Sequence, residues 1–306
     1  MLLEPKNLKA LPECFFSHLG RLFPCFKVFK ITYRKIFKVF AVALSFYIFL
    51  NFLFWILPFP ELSEFLKKEY SLRIYDRNEV LIQVTPISTG GRREYTRLSE
   101  IPKPLVKEFL EQEDKRFFFH HGIDYLSIIN SFIQNLHAKK VIRGGSTISM
   151  QLSKIINQDN SISLKRKLSD IFFAWRLEAK LSKKKILELY LNSIYFGRNS
   201  WGVTSGARTY FGLELSALSE NQIKILSTIP RNPSFYNPVE HPEHFKNFSK
   251  EVYDDANSAS QKKYFSYPQK MPHFVNYLKK SSQTTQGKTR QNARQSVWQD
   301  ARKIRT

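Results

Sequence analysis

Glu113-Asp114-Lys115-Arg116-Phe117-Phe118-Phe119-His120-His121-Gly122-Ile123-Asp124 crowds acids, bases and aromatics into one run between two helical patterns. Alone it reads as a charged helix end followed by a glycine turn. It gains weight from Arg143-Gly144-Gly145-Ser146-Thr147-Ile148-Ser149-Met150-Gln151-Leu152-Ser153-Lys154, where a Gly pair opens a helix that Ser146 or Thr147 caps. Such a start presents backbone N–H groups and hydroxyls to an anion. In Arg166-Lys167-Leu168-Ser169-Asp170 a basic pair stands four and three residues before a carboxylate, hence on one helical face. Ser182-Lys183-Lys184-Lys185-Ile186-Leu187-Glu188-Leu189-Tyr190-Leu191-Asn192 follows, then Tyr195-Phe196-Gly197 and Tyr210-Phe211-Gly212. Ile186, Leu187, Tyr190 and Leu191 have the spacing of core residues.

Helical patterns surround these runs. Ser99 and Pro102 or Pro104 offer starts for a helix toward Glu113, and others are expected over about 124–138, 147–157, 164–180, 183–193 and 219–229. Residues 71–84 read as two short strands about an Asp-Arg-Asn turn. The main domain is therefore expected to be mainly α-helical with a small β hairpin. From about 240 the pattern loosens, and residues 281–295 lack the apolar side chains that hold a packed segment, which predicts disorder there.

No charged residue lies between Lys38 and Glu61, and Val39 to Leu57 is apolar apart from Ser45, Tyr47 and Asn51. A membrane-spanning helix needs about 20 such residues. No small-residue cleavage site follows, so a retained anchor is expected, ended by Leu57-Pro58-Phe59-Pro60. Lys27, Lys30, Arg34, Lys35 and Lys38 precede it, and Glu61 and Glu64 come first beyond it, which sets residues 1–38 in the cytoplasm and the rest outside.

The resulting domain order is a basic tail (1–38), an anchor (39–60), the main domain (61–240) and a basic extension (241–306). The chain carries +22 overall, and its ends are its most basic parts, with eight Lys/Arg against two acids in 1–38 and thirteen against four in 246–306. Charge alone allows nucleic acid, membrane or a phosphorylated substrate, and the expected topology argues against nucleic acid. Cys14 and Cys25 both precede the anchor, which excludes a disulfide framework for the main domain. No dedicated metal-ligand cluster stands out.

In this order the four runs resemble the glycosyltransferase family 51 domain of monofunctional peptidoglycan transglycosylases and class A penicillin-binding proteins, over about residues 70–238. Arg92-Arg93, Ser146 to Gln151 and Ile229-Pro230-Arg231-Asn232-Pro233-Ser234 look most like the C-type class A proteins, without the ordered motifs of a transpeptidase domain. The resemblance implies a lysozyme-like helical transglycosylase domain beside the membrane. It implies polymerisation of lipid II into β-1,4-linked glycan, with inversion and release of undecaprenyl pyrophosphate. Glu113 would be the general base, with Asp170 the second carboxylate of the site. Phe117 and Phe118 beside Glu113 are expected to desolvate it.

Asp114, Arg116, Arg143, Gly145, Ser146, Thr147, Gln151, Lys154, Arg166 and Lys167 are the expected substrate-binding residues, the basic ones for pyrophosphate. Asp124 reads equally as an orienting carboxylate and as a helix N-cap. No cofactor is expected to be required, although magnesium or manganese could share the pyrophosphate's charge. Expected partners are lipid II, the growing glycan strand, membrane lipids and other cell-wall synthesis proteins.

This chain departs from the family in having Asp170 where Glu is usual, Gln222 for Glu, and Ser205-Gly206 in place of an Ala pair. Those departures motivate a rival reading, a weak or inactive transferase-fold scaffold that binds lipid II or glycan. A lytic glycosidase is the third reading, disfavoured by the basic helix faces.

Overall fold

The computed structural model describes residues 24–78, 80–139, 144–158, 163–261 and Tyr267, and the chain divides into two units, Met1–Pro58 and Phe59–Thr306. The first holds helix α1, Pro24–Ile56. Its stretch Lys35–Ile56 is long and apolar enough to cross a membrane, and Val39, Phe40 and Ile48 are exposed along it. The helix begins upstream of the expected anchor, within the basic segment, and it ends before Pro58 and Pro60, as the missing proline N–H groups require.

The second unit opens with α2, Pro60–Leu66, with proline at its first position. Strands β1 (Arg73–Tyr75) and β2 (Leu81–Val84) pair antiparallel, Arg73 opposite Val84. Asp76 Oδ1 accepts from the N–H groups of Asn78 and Val80 and so shapes the turn of the expected hairpin. Then come β3 (Arg92–Arg93), α3 (Lys103–Glu113), α4 (Tyr125–Ala138), α5 (Ile148–Asn157), α6 (Leu164–Lys180) and α7 (Lys183–Leu191). The rest is β4 (Tyr195–Gly197), β5 (Ser200–Trp201), α8 (Val203–Phe211), α9 (Glu220–Thr228) and α10 (Lys250–Gln261). The second sheet has the order β3-β5-β4, with β5 parallel to β3 and antiparallel to β4. The mainly helical class holds.

Helix α7 is central: Ile186, Leu187, Leu189, Tyr190 and Leu191 are all buried. Helix α5 packs on α6 and α7, and α3 packs on α9. In α5 the buried stripe is Ile148, Leu152 and Ile156, four residues apart. Each such side chain contributes roughly 1.5–3 kcal/mol by leaving water. Because one end of α5 and one end of α3 are held by the same core, their polar ends meet at one place.

Two features depart from expectation. Helix α8 forms where none was read, because Thr204, Ser205, Gly206 and Arg208 break any apolar stripe yet are all buried. A side chain at Gly206 would stand 2.8 Å from the Phe196 ring, so the glycine is what lets that ring pack. Ser205 is used as well, its Oγ accepting from the Glu94 N–H at 2.9 Å.

The packed domain also runs past the boundary expected at 240. Phe245, Val252, Ala256 and Ala259 join the core, and alanines, being small, left the pattern looking loose. Tyr267 is buried too, donating to the Ser205 carbonyl at 3.0 Å. The disorder expected at 281–295 lies outside the described residues.

Candidate active site

A cleft of about 1520 Å³ opens where the end of α3, the start of α5, the first turns of α6 and the segment after α9 converge. Glu113, the last residue of α3, lies in its wall with its side chain 13% exposed. Its carboxylate is held from two sides. Gln151 Nε2 donates to Oε2 at 2.8 Å, and Arg231 Nε donates to Oε1 at 3.2 Å while its other nitrogen holds the Gln112 carbonyl at 2.9 Å.

Behind Gln151 stands Tyr190, fully buried, whose hydroxyl donates to Gln151 Oε1 at 3.0 Å. Burial first, then the charge of Glu113, pushes the Tyr190 hydroxyl well above its ordinary range, so it stays a donor. That donor forces the Gln151 amide to present its nitrogen to Glu113. What confines Glu113 is thus polar, whereas Phe117 is buried in the core with Phe118 edge-on to it and Lys183 over its ring. A tyrosine–glutamine relay thus orients Glu113.

The start of α5 differs from its expectation as well. Thr147 is the cap rather than Ser146, accepting from the Met150 N–H at 3.2 Å and donating to the Gly122 carbonyl at 2.6 Å. Asp114 Oδ2 accepts from the Ile148 N–H at 3.0 Å, and His120 Nε2 lies 3.0 Å from the same carboxylate. The protein therefore supplies its own anion to this helix end. Asp114 and Thr147 line the cleft yet are committed to joining α3, α4 and α5, so they position the site.

Gly145 is a matter of space: a side chain there would stand 3.0 Å from the Ile128 backbone on α4. Ser146 stays exposed at the cleft edge.

Arg116 is engaged by a carboxylate that itself lines the cleft. It grips Asp124 through two hydrogen bonds, at 2.7 and 3.0 Å. Asp124 meanwhile caps α4 by accepting from the Ser127 N–H at 3.0 Å, so it does both of the jobs read for it. Desolvation works to raise the Asp124 pKa, but the hydrogen bonds from Ser127 and Arg116 outweigh it and hold the group below the usual value.

The cationic side chains that do line the cleft are Lys154, Arg166 and Lys167, as read, joined by Lys68, Arg93, Lys115 and Arg231. Burial, then repulsion from Arg93, lowers the Lys68 pKa. Asp170 lines the same wall, buried, with Arg166 at 3.7 Å one helical turn before it. Arg143 lies outside the described residues.

Arg231 and Tyr190 are the contributors that the sequence reading passed over. Arg231 stood in the Ile229–Ser234 motif, and Tyr190 was taken as core only.

The profile of the transglycosylase family matches residues 78–257, which contain every part of this cleft except Lys68. The chain belongs to that family. Penicillin-binding protein 1A of Aquifex aeolicus is 35% identical over 205 residues, 67% of this chain and 28% of that protein. Penicillin-binding protein 1A/1B of Bacillus subtilis (strain 168) is 37% identical over 186 residues, 60% of this chain and 20% of that one. A 2.6 Å crystal structure of penicillin-binding protein 1A from Haemophilus influenzae aligns with 73% of this chain and 25% of its own, at 20% identity and a TM-score of 0.29. The chain spans about a quarter of the length of these relatives.

The expected resemblance to the transglycosylase part of class A penicillin-binding proteins is borne out. Within the transglycosylase family, two of the departures in this chain have structural roles. Gln222 closes a capping box with Ser219 at the start of α9, a task at which Gln equals Glu. Ser205-Gly206 serves Glu94 and Phe196 as described.

Proposed function

We propose that this transglycosylase is a peptidoglycan glycosyltransferase that polymerises lipid II on the outer face of the cytoplasmic membrane. The observation that carries the reading is Glu113, a carboxylate oriented by Gln151 and Arg231 at a cleft also lined by Lys154, Arg166 and Lys167. A carboxylate in that setting is suited to take the proton of an acceptor hydroxyl. As the 4-hydroxyl oxygen bonds to the anomeric carbon, the bond from that carbon to the lipid pyrophosphate breaks, with inversion, and the proton passes to Glu113. The leaving pyrophosphate needs charge neutralisation, which Lys154, Arg166 and Lys167 supply from α5 and α6.

Among the described residues each carboxylate lining the cleft already has a partner in the protein, so magnesium or manganese would be held chiefly by the substrate's pyrophosphate. Asp114, Asp124 and Asp170 face His120, Arg116 and Arg166, Glu111 faces Lys107, and Glu113 is held as above. The apolar helix Lys35–Ile56, with basic residues before it, would tether the domain to the membrane that carries both substrates.

Purified chain given labelled lipid II is expected to form glycan polymer, and Glu113→Gln to stop it while lipid II binding persists. Binding without polymer under varied detergent and cation conditions would instead support the scaffold reading, for which Asp170 is the motive. Asp170→Glu sharpens the distinction. Asp170 is one methylene shorter than the Glu usual at this position, and a placement error of about 1 Å can cost on the order of a hundredfold. The longer residue is expected to raise kcat about tenfold with KM unchanged, whereas an inert scaffold would stay inert.

A further inference from the structure

His241, Glu243 and His244 lie among the residues that follow the cleft, and nothing in the polymerisation chemistry uses them. Pro242–Phe245 forms a 3₁₀ turn with His241 as its cap, and three residues per turn place His241 and His244 one above the other. Their rings stack at 5.1 Å between centroids. His241 Nδ1 is 3.2 Å from Glu243 Oε1, and His244 Nε2 is 3.9 Å from the same oxygen. One donor atom from each of the three residues falls within 4.8 Å of the other two.

His244 is prepared for coordination. Its Nδ1 is 2.6 Å from the Phe235 carbonyl oxygen, which can only accept, so Nδ1 carries the hydrogen and Nε2 keeps its lone pair in the neutral ring. This is the outer contact that fixes the tautomer of a ligating histidine. The Phe235 ring lies flat on the imidazole, at 3.8 Å and 8°, and holds its plane. Metal–ligand bonds of about 2.0–2.1 Å in a tetrahedron put neighbouring donors about 3.3 Å apart. The 3.2 Å separation already matches, and the 3.9 Å one closes by a small rotation of Glu243, which is half-exposed.

We propose that His241, Glu243 and His244 bind one borderline divalent ion of the zinc class, with the fourth position left to water. Two imidazoles and one carboxylate favour zinc, cobalt or nickel over magnesium or calcium, which take oxygen donors. No metal cluster stood out in the sequence because these three side chains are brought together by a turn the sequence did not announce.

The test uses the whole chain in detergent, purified on a tag without histidine and stripped of metal. Cobalt added to one equivalent is expected to give the intense visible absorption of a four-coordinate site, and zinc to displace it. Zinc, not magnesium, is expected to raise Tm. His241→Ala and His244→Ala should each weaken cobalt binding more than about tenfold. Glu243→Gln, the mildest change, serves if either alanine variant loses its circular dichroism. A six-coordinate spectrum, or binding unchanged in a folded His241→Ala/His244→Ala variant, overturns the proposal.

Discussion

Two carboxylates in this protein each meet an arginine, and they are built for opposite purposes. Glu94 is completely buried and takes a 3.0 Å bond from Arg208, itself buried and shared with Glu214. Desolvation raises the Glu94 pKa, with Arg208 and then Arg73 pulling it back. Glu113 meets an arginine that is 45% exposed and a glutamine held from behind by Tyr190. Glu94 faces no solvent and can only hold β3 to α8. Glu113 has one rigid partner and one that solvent or substrate can replace. The difference teaches that reactivity comes from how the partners of a carboxylate are anchored rather than from the residue type.

The strongest way to break this contrast is Glu113→Gln. Lipid II polymerisation is expected to fall by about 10²–10⁴-fold, the usual share of a general base, with Tm unchanged. Glu94→Ala should do the reverse. Breaking a buried ion pair costs about 3–5 kcal/mol, to be read from urea unfolding, while the protein that remains folded keeps its kcat. If Glu94→Ala lost activity without losing stability, the division between the two carboxylates would fail.

Tyr190→Phe probes the relay. It leaves Gln151 Oε1 without its donor, and a loss of about fivefold in kcat, with little in KM, is expected from a net hydrogen bond of about 1 kcal/mol.

The smallest effect concerns Asp124. Its pKa is lowered in the folded state, so its contribution to stability is complete above 3.8 and is lost as pH falls through the lower folded-state value. Asp124→Asn keeps the helix cap but not the charge pair with Arg116. Stability near pH 7 should drop by about 1 kcal/mol, and the gap to the parent protein should shrink in acid.

Much of the site was readable because each of its parts is local. Glu113 ends a helix, the Gly145 run starts one, and Arg166 and Asp170 share a face by spacing alone. What the sequence could not show for Arg116 is that Asp124, eight residues on, holds its guanidinium. The bonds of Thr147 and Asp114 to N–H groups at the start of α5 were equally illegible, since an unpaired helix start and a paired one have the same sequence. Helix α8 and the core residues after 240 escaped because small and polar side chains carry no periodic signal when tertiary packing buries them.

By itself the sequence determined the helical class, the apolar segment before Glu61 and the acidic and basic residues of the cleft. Periodicity, proline placement and charge are properties of neighbours along the chain. Only the tertiary structure decided that Tyr190 orients Gln151, that Arg231 reaches back to Glu113, and that Glu94 is closed off with Arg208. Those pairs are joined across 39, 118 and 114 residues, and only the packing of one shared core sets such distances.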